Sequence, residues 1–223
     1  MKTVLITGAN RGIGLALTRQ YVARGDRVIA CCRTSSPALD ATGAQVEPGV
    51  DVADARAVET LAKRLGDVRL DLLILNAGIM TFETLDGLDD EAFERMRRQF
   101  EVNALGPLRV VAALRDKLSQ GAKIGLMTSR MGSVEDNGSG GSYGYRASKS
   151  ALNAIGKSLA VDLEPKGIAV FLLHPGYVAT DMVGGTGDVS PEEAATNLIA
   201  RLDALSLKET GTFWHANGTR LPW

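Results

Sequence analysis

Five short stretches of the chain are apolar at almost every position rather than at alternate positions. They are residues 4–6, 28–30, 72–75, 124–127 and 168–173. Continuous apolar runs of this length are typical of parallel strands that are covered on both faces. Between them, apolar positions recur with a helical period over residues 12–24, 54–65, 90–117, 143–164 and 191–205.

Alternation of strands and helices predicts βαβ units, and therefore an α/β protein with a parallel sheet and helices on both faces. No composition shift or linker divides the chain, so we expect one domain over residues 1–223. The Gly- and Ser-rich stretch 137–142 is predicted to be a loop. The charged run 95–98 is predicted to be a solvated helix face rather than a binding patch.

Composition narrows the possible functions. The 223 residues carry a formal net charge of −1 and only 5% aromatic residues, which disfavours binding to nucleic acid or to an anionic membrane. The two cysteines are adjacent, Cys31 and Cys32, and there are two histidines, so we expect neither disulfides nor a metal site. The apolar run at the start is too short for a signal peptide, and we expect a cytoplasmic protein.

Glycines are concentrated where the first predicted strand meets the first predicted helix. The segment reads Thr7-Gly8-Ala9-Asn10-Arg11-Gly12-Ile13-Gly14. Glycines permit a tight turn and a close approach of the backbone to a pyrophosphate, which the helix N-terminus then holds. The alternative is a tight β–α turn without a ligand, and the βαβ context favours the phosphate site.

The end of the second predicted strand indicates which nicotinamide cofactor binds. It reads Cys31-Cys32-Arg33-Thr34 and contains no acidic residue to accept hydrogen bonds from the ribose of NAD. Arg33 and Arg11 together suit the 2′-phosphate of NADP(H), although each alone is also an ordinary surface arginine. We therefore predict that NADP(H) is preferred over NAD(H).

Asp51, within Val50-Asp51-Val52, has two interpretations that the sequence leaves open. Its carboxylate can accept a hydrogen bond from the adenine amino group, with Val52 beside it. It can instead be the N-cap of a helix that starts near Ala53.

Tyr145 and Lys149 are four residues apart at the start of a predicted helix and so share one face. We expect the ammonium group to lower the pKa of the phenol from about 10, which would prepare Tyr145 for general acid–base catalysis. Ser129 follows a strand and can polarise a substrate oxygen. Asn103 lies inside a predicted helix, where asparagine is unfavourable and indicates a kink, a bound water or a functional contact.

These motifs, in this order, resemble those of the short-chain dehydrogenase/reductase family. The resemblance extends over essentially the whole chain through the glycine turn, Asp51, Asn76-Ala77-Gly78, Asn103, Ser129, Tyr145, Lys149, Pro175-Gly176 and Thr180. Residues 129–133, 143–152 and 211–223 resemble the branch of C-factor-like and sniffer-type carbonyl reductases. The resemblance implies a Rossmann-type doubly wound parallel sheet of about seven strands, and reversible hydride transfer between a nicotinamide cofactor and a small carbonyl or alcohol.

The resemblance also implies a role for each matching residue. Tyr145 is the general acid in reduction, Lys149 binds the ribose and tunes Tyr145, Ser129 orients the carbonyl, and Asn103 holds the water of a proton relay. The cofactor contacts it implies are Gly8, Asn10, Arg11, Gly12, Ile13, Gly14, Arg33, Asp51, Val52, Asn76, Ala77, Gly78, Tyr145, Lys149, Pro175, Gly176, Val178 and Thr180. Ser129 lies 16 residues before Tyr145, an unusually long gap, and Ser133 is the weaker alternative for its role.

Three further expectations concern the substrate side and the surface. Only ten residues separate Thr180 from Pro191, which predicts a short, glycine-rich lid that leaves the substrate pocket open. A partner subunit or residues 131–142 could close the pocket instead. The small residues Ala147, Ala151, Ala154 and Ser158 share one helix face and allow another helix or the sheet to approach closely, and packing on the sheet is the favoured interpretation. The resemblance implies a homodimer or homotetramer.

A dinucleotide-binding signalling or redox-sensing protein with little turnover is the alternative function, whereas an epimerase or dehydratase would need a longer substrate region.

Overall fold

The computed structural model describes residues 1–223 and contains one sheet of seven parallel strands. The spatial order of the strands is β3-β2-β1-β4-β5-β6-β7. Their bounds are β1 Thr3–Thr7, β2 Arg27–Cys31, β3 Gln45–Glu47, β4 Leu70–Leu75, β5 Leu118–Met127, β6 Ala169–His174 and β7 Thr212–His215. The predicted Rossmann-type doubly wound sheet is confirmed.

The strand order reverses between β1 and β4. From β1 the chain adds strands outward to β3, then crosses back to pair β4 with the other side of β1. In a sheet of this kind, a crevice opens at the carboxyl ends of the strands where the order reverses. The fold therefore directs the functional site to the ends of β1 and β4.

Helices cover both faces of the sheet. They are α1 Gly12–Ala23, α2 Pro37–Asp40, α3 Ala55–Arg64, α4 Asp90–Phe100, α5 Gly106–Leu114, α6 Tyr143–Leu163 and α7 Pro191–Ala204. One core cluster joins Leu5 of β1 to the face that carries α3, α5 and α6, and the other joins the adjacent Ile6 to α1 and α7. Because neighbouring strand residues point to opposite faces that are both buried, each central strand is apolar at nearly every position.

Two strands are missing from the apolar runs of the sequence, β3 and β7. Both lie at the edges of the sheet, and most of their residues are only partly buried, so their composition is mixed. Edge strands cover less apolar surface than central ones, which removes the signal on which the prediction rested.

The helix predicted over residues 90–117 is interrupted. It divides into α4 and α5, separated by a π-helical turn at Glu101–Leu105 that contains the buried Asn103. A π-helical turn adds one residue to the helix and is frequent at functional sites. The periodic pattern did not predict this break, although Asn103 marked its position.

The predicted packing of the small-residue stripe on the sheet is wrong, because Ala147, Ala154 and Ser158 are exposed. The inward face of α6 instead includes Leu152 and Gly156. A Cβ at Gly156 would lie 2.6 Å from the Cδ1 atom of Leu126 in β5, which shows how closely the helix approaches the sheet. None of the helices combines the length and the apolar character needed to cross a membrane.

Candidate active site

A cleft of about 1360 Å³ opens at the carboxyl ends of the central strands. It brings together nearly all of the residues selected from the sequence: Gly8, Asn10, Arg11, Gly12, Ile13, Arg33, Asp51, Val52, Asn76, Ala77, Gly78, Ser129, Tyr145, Lys149, Pro175, Gly176, Val178 and Thr180. Gly14 and Asn103 are the two selected residues that do not line it.

The glycine turn after β1 forms one end of the cleft, and its backbone requires glycine. Gly8 and Gly12 have φ angles of +67° and +52°, in the left-handed region that other residues rarely adopt. A Cβ at Gly8 would lie 2.9 Å from the Cα of Ala77, and one at Gly12 would lie 3.3 Å from Cγ2 of Thr180. The turn is therefore packed tightly against the segments that follow β4 and β6.

Gly14 serves the turn from behind the cleft. A Cβ at this position would lie only 2.2 Å from the carbonyl oxygen of Gly8, so only glycine lets α1 start so close to β1. No side chain caps the N-terminus of α1. The N–H groups of its first turn are thus left without a side-chain acceptor, which suits the binding of a phosphate anion.

Asn76 braces this turn from the end of β4. Its side-chain amide donates to the carbonyl oxygens of Thr7 and Gly8, both at 3.1 Å. Its backbone N–H and that of Ala77 donate to Oγ1 of Thr7. The amide side chain therefore holds the shape of the glycine turn rather than projecting freely into the cleft.

The two arginines selected for a 2′-phosphate differ in their surroundings. Arg11 forms an exposed ion pair with Asp181, with 3.2 Å between Nη1 and Oδ2. Arg33 is exposed, lines the cleft and forms no ion pair. A guanidinium without an acidic partner is the better prepared of the two to bind an added anion.

Asp51 is not a helix N-cap, so that interpretation is wrong. Helix α3 begins at Ala55 and is capped by Asp54, whose side chain accepts from the N–H of Arg56. Asp51 accepts from the N–H of Ala53 and pairs with Arg98, with 3.1 Å between Oδ2 and Nη2. Its proposed contact with adenine remains a prediction.

Arg98 belongs to the charged run that the sequence predicted to be a solvated helix face. It is exposed, but it also lines the cleft and holds Asp51 there. The predicted solvated face is confirmed for this residue, and the sequence did not predict its place at the cleft. Its neighbour Arg97 fits the expectation, because it pairs with Glu94 on the exposed side of α4.

Ser129, Tyr145 and Lys149 meet in the other half of the cleft, and all three are buried. Nζ of Lys149 donates to the carbonyl oxygen of Met127 at 2.8 Å and lies 5.7 Å from the centroid of the Tyr145 ring. Ser133 does not line the cleft. Its hydroxyl donates to the carbonyl oxygen of Trp223, so the geometry favours Ser129.

Burial controls the protonation of this group. Burial raises the pKa of Tyr145 to about 12, and the neighbouring hydroxyl of Ser129 offsets only part of that increase. Burial lowers the pKa of Lys149 to about 8. The expectation that the pKa of Tyr145 falls below 10 is therefore wrong, because burial disfavours the phenolate and is the largest influence on this group. At neutral pH the phenol keeps its proton and can donate it.

Asn103 supports the cleft from behind its lining. Its Oδ1 accepts from the N–H of Ile79 at 2.9 Å, and its Nδ2 donates to the carbonyl oxygen of Ile79 at 2.8 Å and to Oγ of Ser148 at 3.1 Å. These bonds join the segment after β4 to α6. The side chain is fully engaged in them, and its predicted role in a proton relay stays a prediction.

Further side chains line the cleft that were not selected individually from the sequence, although some of them lie in the segments 131–142 and 181–190 that were expected to cover the substrate. They include Ile79, Met80, Phe82, Arg130, Met131, Asp136, Arg146, His174, Tyr177, Met182 and Val183. Most come from loops, where neither periodicity nor a motif marks them. Phe82 is 67% exposed, and such an exposed aromatic residue beside a cleft can be identified only in three dimensions.

The sequence profile of the short chain dehydrogenase family matches residues 2–190. A curated relative, 1-hydroxy-2-glutathionyl-2-methyl-3-butene dehydrogenase of Rhodococcus sp. (strain AD45), is 45% identical over 100% of both chains. The C-signal protein of Myxococcus xanthus is 41% identical over 69% of this chain and 93% of its own. The chain therefore belongs to the short-chain dehydrogenase/reductase family, as its motifs predicted.

Solved structures agree with this assignment. An NADPH-bound carbonyl reductase from chicken fatty liver superposes with a TM-score of 0.90 at 29% identity, over 100% of this chain and 99% of that chain. The carbonyl reductase Sniffer of D. melanogaster superposes with a TM-score of 0.91 at 29% identity, over 100% of both chains. The predicted similarity to C-factor-like and sniffer-type proteins is confirmed.

Proposed function

We propose that this oxidoreductase reduces the carbonyl group of an aldehyde, ketone or quinone to an alcohol, or catalyses the reverse reaction, with NADP(H) as cofactor. The observation that carries the proposal is the convergence of buried Ser129, Tyr145 and Lys149 in the same cleft as the glycine turn. A proton donor and an anion-binding helix N-terminus share one cavity, which is what hydride transfer to a carbonyl requires.

The chain's own residues fit a dinucleotide. The uncapped N-terminus of α1 and the glycine turn would hold the pyrophosphate, and the unpaired Arg33 would hold a 2′-phosphate. Pro175, Gly176, Val178 and Thr180 would line the nicotinamide end. When bound, the cofactor supplies the hydride, which is chemistry that no side chain can provide. The chicken carbonyl reductase, which is NADPH-bound, supports the choice of cofactor.

The proton chemistry belongs to this chain. In reduction, the hydroxyl of Ser129 orients the carbonyl oxygen, and Tyr145, protonated at neutral pH, donates its proton to that oxygen. Lys149 holds the ribose and places positive charge beside the phenolate that remains. Asn103 fixes the position of Ser148, the residue before Lys149, so it orients the catalytic helix.

We assign the whole of residues 1–223 to this one function, with substrate selection by loops that include residues 180–191. This segment is short and largely exposed, and it is held by the bond between Tyr177 Oη and Thr186 Oγ1 at 2.5 Å. The cleft next to it is lined by apolar side chains such as Phe82 and Met182. An open apolar pocket suits a range of small carbonyl compounds.

The test is NADPH oxidation measured against a panel of aldehydes, ketones and quinones, with NADP⁺ reduction by a glutathione-bearing primary homoallylic alcohol added because of the Rhodococcus relative's name. Tyr145→Phe should lower kcat by about 100- to 10,000-fold, because the proton donor is lost, while NADPH affinity changes little. Tyr143→Phe, two residues earlier, is the matched control. Full activity of Tyr145→Phe would exclude the mechanism.

A second candidate is a signalling or redox-sensing protein that binds the dinucleotide with little turnover. The similarity to the relative from Myxococcus xanthus favours it, because that relative is named C-signal and its match covers 69% of this chain. Tight NADPH binding without turnover across the whole panel would support this function. Turnover that disappears in Tyr145→Phe would exclude it.

A further inference from the structure

Glu83 is the only acidic side chain among the buried polar residues of the protein, with 4% of its surface exposed. It lies between β4 and α4, immediately after Phe82 at the substrate side of the cleft. Burying a carboxylate is unfavourable unless several donors satisfy it. The donors that satisfy the Glu83 carboxylate therefore identify the segments that this residue connects.

Three donors from three parts of the chain converge on this carboxylate. Oε1 of Glu83 accepts from Oγ1 of Thr81 at 2.6 Å and from Nε2 of Gln99 at 2.9 Å. Oε2 accepts from the backbone N–H of Gly144 at 3.0 Å. Gln99 in turn accepts from the N–H of Thr81 through its own Oε1. The network joins the segment after β4, helix α4 and the start of α6.

The first turn of α6 depends on Glu83 for its cap. The N-cap residue Ser142 has φ +49°, the only non-glycine residue with a positive φ, and its side chain caps nothing. The backbone oxygen of Glu83 accepts from the N–H of Ser142 at 2.8 Å, and its carboxylate accepts from Gly144. Glu83 thus supplies the acceptors for two N–H groups, those of Ser142 and Gly144, at the start of a 21-residue helix.

Gly144 lies against α4 with no spare room. A Cβ there would lie 2.4 Å from Nε2 of Gln99 and 3.0 Å from the Cα of Met96. The residue that follows is Tyr145. Any loss of the bond between Glu83 and Gly144 therefore shifts the backbone directly beside the catalytic phenol.

We propose that Glu83 is a positioning residue: it holds the first turn of α6 so that the hydroxyl of Tyr145 points at the substrate oxygen. The inference rests on the proposed function, because it assigns Glu83 to the catalytic step. Glu83 does not touch the reacting atoms. It acts through the N–H of Gly144.

Glu83→Gln tests the proposal with almost no change in volume. An amide offers one acceptor and one donor in place of two acceptors. In either orientation its NH₂ group faces a donor, the N–H of Gly144 or the amide of Gln99. We expect kcat to fall about 10- to 100-fold, as for a misplacement of roughly 1 Å, with NADPH affinity unchanged. Glu91→Gln, exposed on α4, is the matched control.

Exchange of the two side-chain types provides a rescue. In Glu83→Gln/Gln99→Glu, the amide at position 83 can donate to the carboxylate at position 99 and accept from Gly144. The carboxylate at position 99 can still accept from Thr81. We expect Gln99→Glu alone to be impaired, because it places two carboxylates together, and the double variant to recover most of kcat.

Hydrogen exchange gives a readout that does not need turnover. Amides of residues 142–146 should exchange faster in Glu83→Gln and return towards the wild-type rate in the double variant. Unchanged exchange and a kcat within twofold of wild type would overturn the proposal, as would a lower Tm with normal kcat. Absence of wild-type turnover on every substrate would instead refute the proposed function. The hydrogen-exchange rates of residues 142–146 would still show whether Glu83 holds the first turn of α6.

Discussion

The two halves of the cleft are built from different parts of the polypeptide. The half that we propose binds the nucleotide, here called the nucleotide half, is formed mainly by backbone, through the glycine turn and the uncapped N-terminus of α1, with arginines exposed at its rim. The half that we propose carries the catalytic residues, here called the catalytic half, is formed by buried side chains, of which Ser129, Tyr145 and Lys149 are the centre. The nucleotide half requires glycines, which have no side chain, whereas the catalytic half requires three particular side chains.

This difference has consequences for electrostatics. Exposed groups such as Arg11 and Asp181 are surrounded by water, so their pairing contributes little energy. Burial of Tyr145 and Lys149 shifts both pKa values towards the neutral forms. The nucleotide half therefore depends on shape and the catalytic half on desolvation, and substitutions should separate the two.

The largest effect is expected where backbone packing is tightest. Gly14→Ala places a Cβ 2.2 Å from the carbonyl oxygen of Gly8, and neither backbone segment can move freely. We expect the free energy of unfolding to fall by about 3 kcal/mol and NADPH affinity to fall at least about tenfold. Chemical denaturation and NADPH fluorescence titration measure the two effects.

Gly138→Ala is the control for this prediction. A methyl group added at Gly138 would have no atoms within 4 Å, and the φ angle of this glycine is not positive, so the same change should be nearly neutral there. Equal stability of the two variants would show that the nucleotide half does not depend on close backbone packing.

The next effect concerns the buried ammonium. Folding lowers the pKa of Lys149 from 10.5 to about 8, so the unfolded chain binds the proton more tightly. Burial of the charged ammonium therefore lowers the free energy of unfolding, and this penalty is fully present below pH 8 and absent above pH 10.5. Relative to Lys149→Met, the wild type should gain about 2 kcal/mol of stability between about pH 7 and about pH 10.

Urea denaturation at the two pH values measures that difference. Lys157→Met, at an exposed position of the same helix, is the control. A wild-type protein that loses stability against Lys149→Met over this range would contradict the role of desolvation in the catalytic half.

The smallest effect is expected at the rim of the nucleotide half. Arg33→Ala removes an arginine that has no acidic partner, and we expect NADPH affinity to fall about tenfold while NADH affinity stays the same. Arg27→Ala, at the opposite end of β2, is the control. A loss that affects NADPH and NADH equally would assign Arg33 to the fold rather than to the 2′-phosphate.

Some parts of the molecule were predictable because local chemistry determines them. The central strands are apolar on both faces, and the glycine turn is required by backbone geometry, so both are visible in sequence. The edge strands β3 and β7 are half-buried and carry no such pattern. Asp51 was ambiguous because its partner, Arg98, is 47 residues away.

The sequence by itself determined the parallel α/β fold, the position of the glycine turn and the residue types of the candidate active site. Continuous apolar runs, helical periods and special residues are local properties, and they survive without coordinates. Only the tertiary structure decided the protonation of Tyr145 and the cap that Glu83 provides, because burial and contacts between distant segments arise when the chain packs.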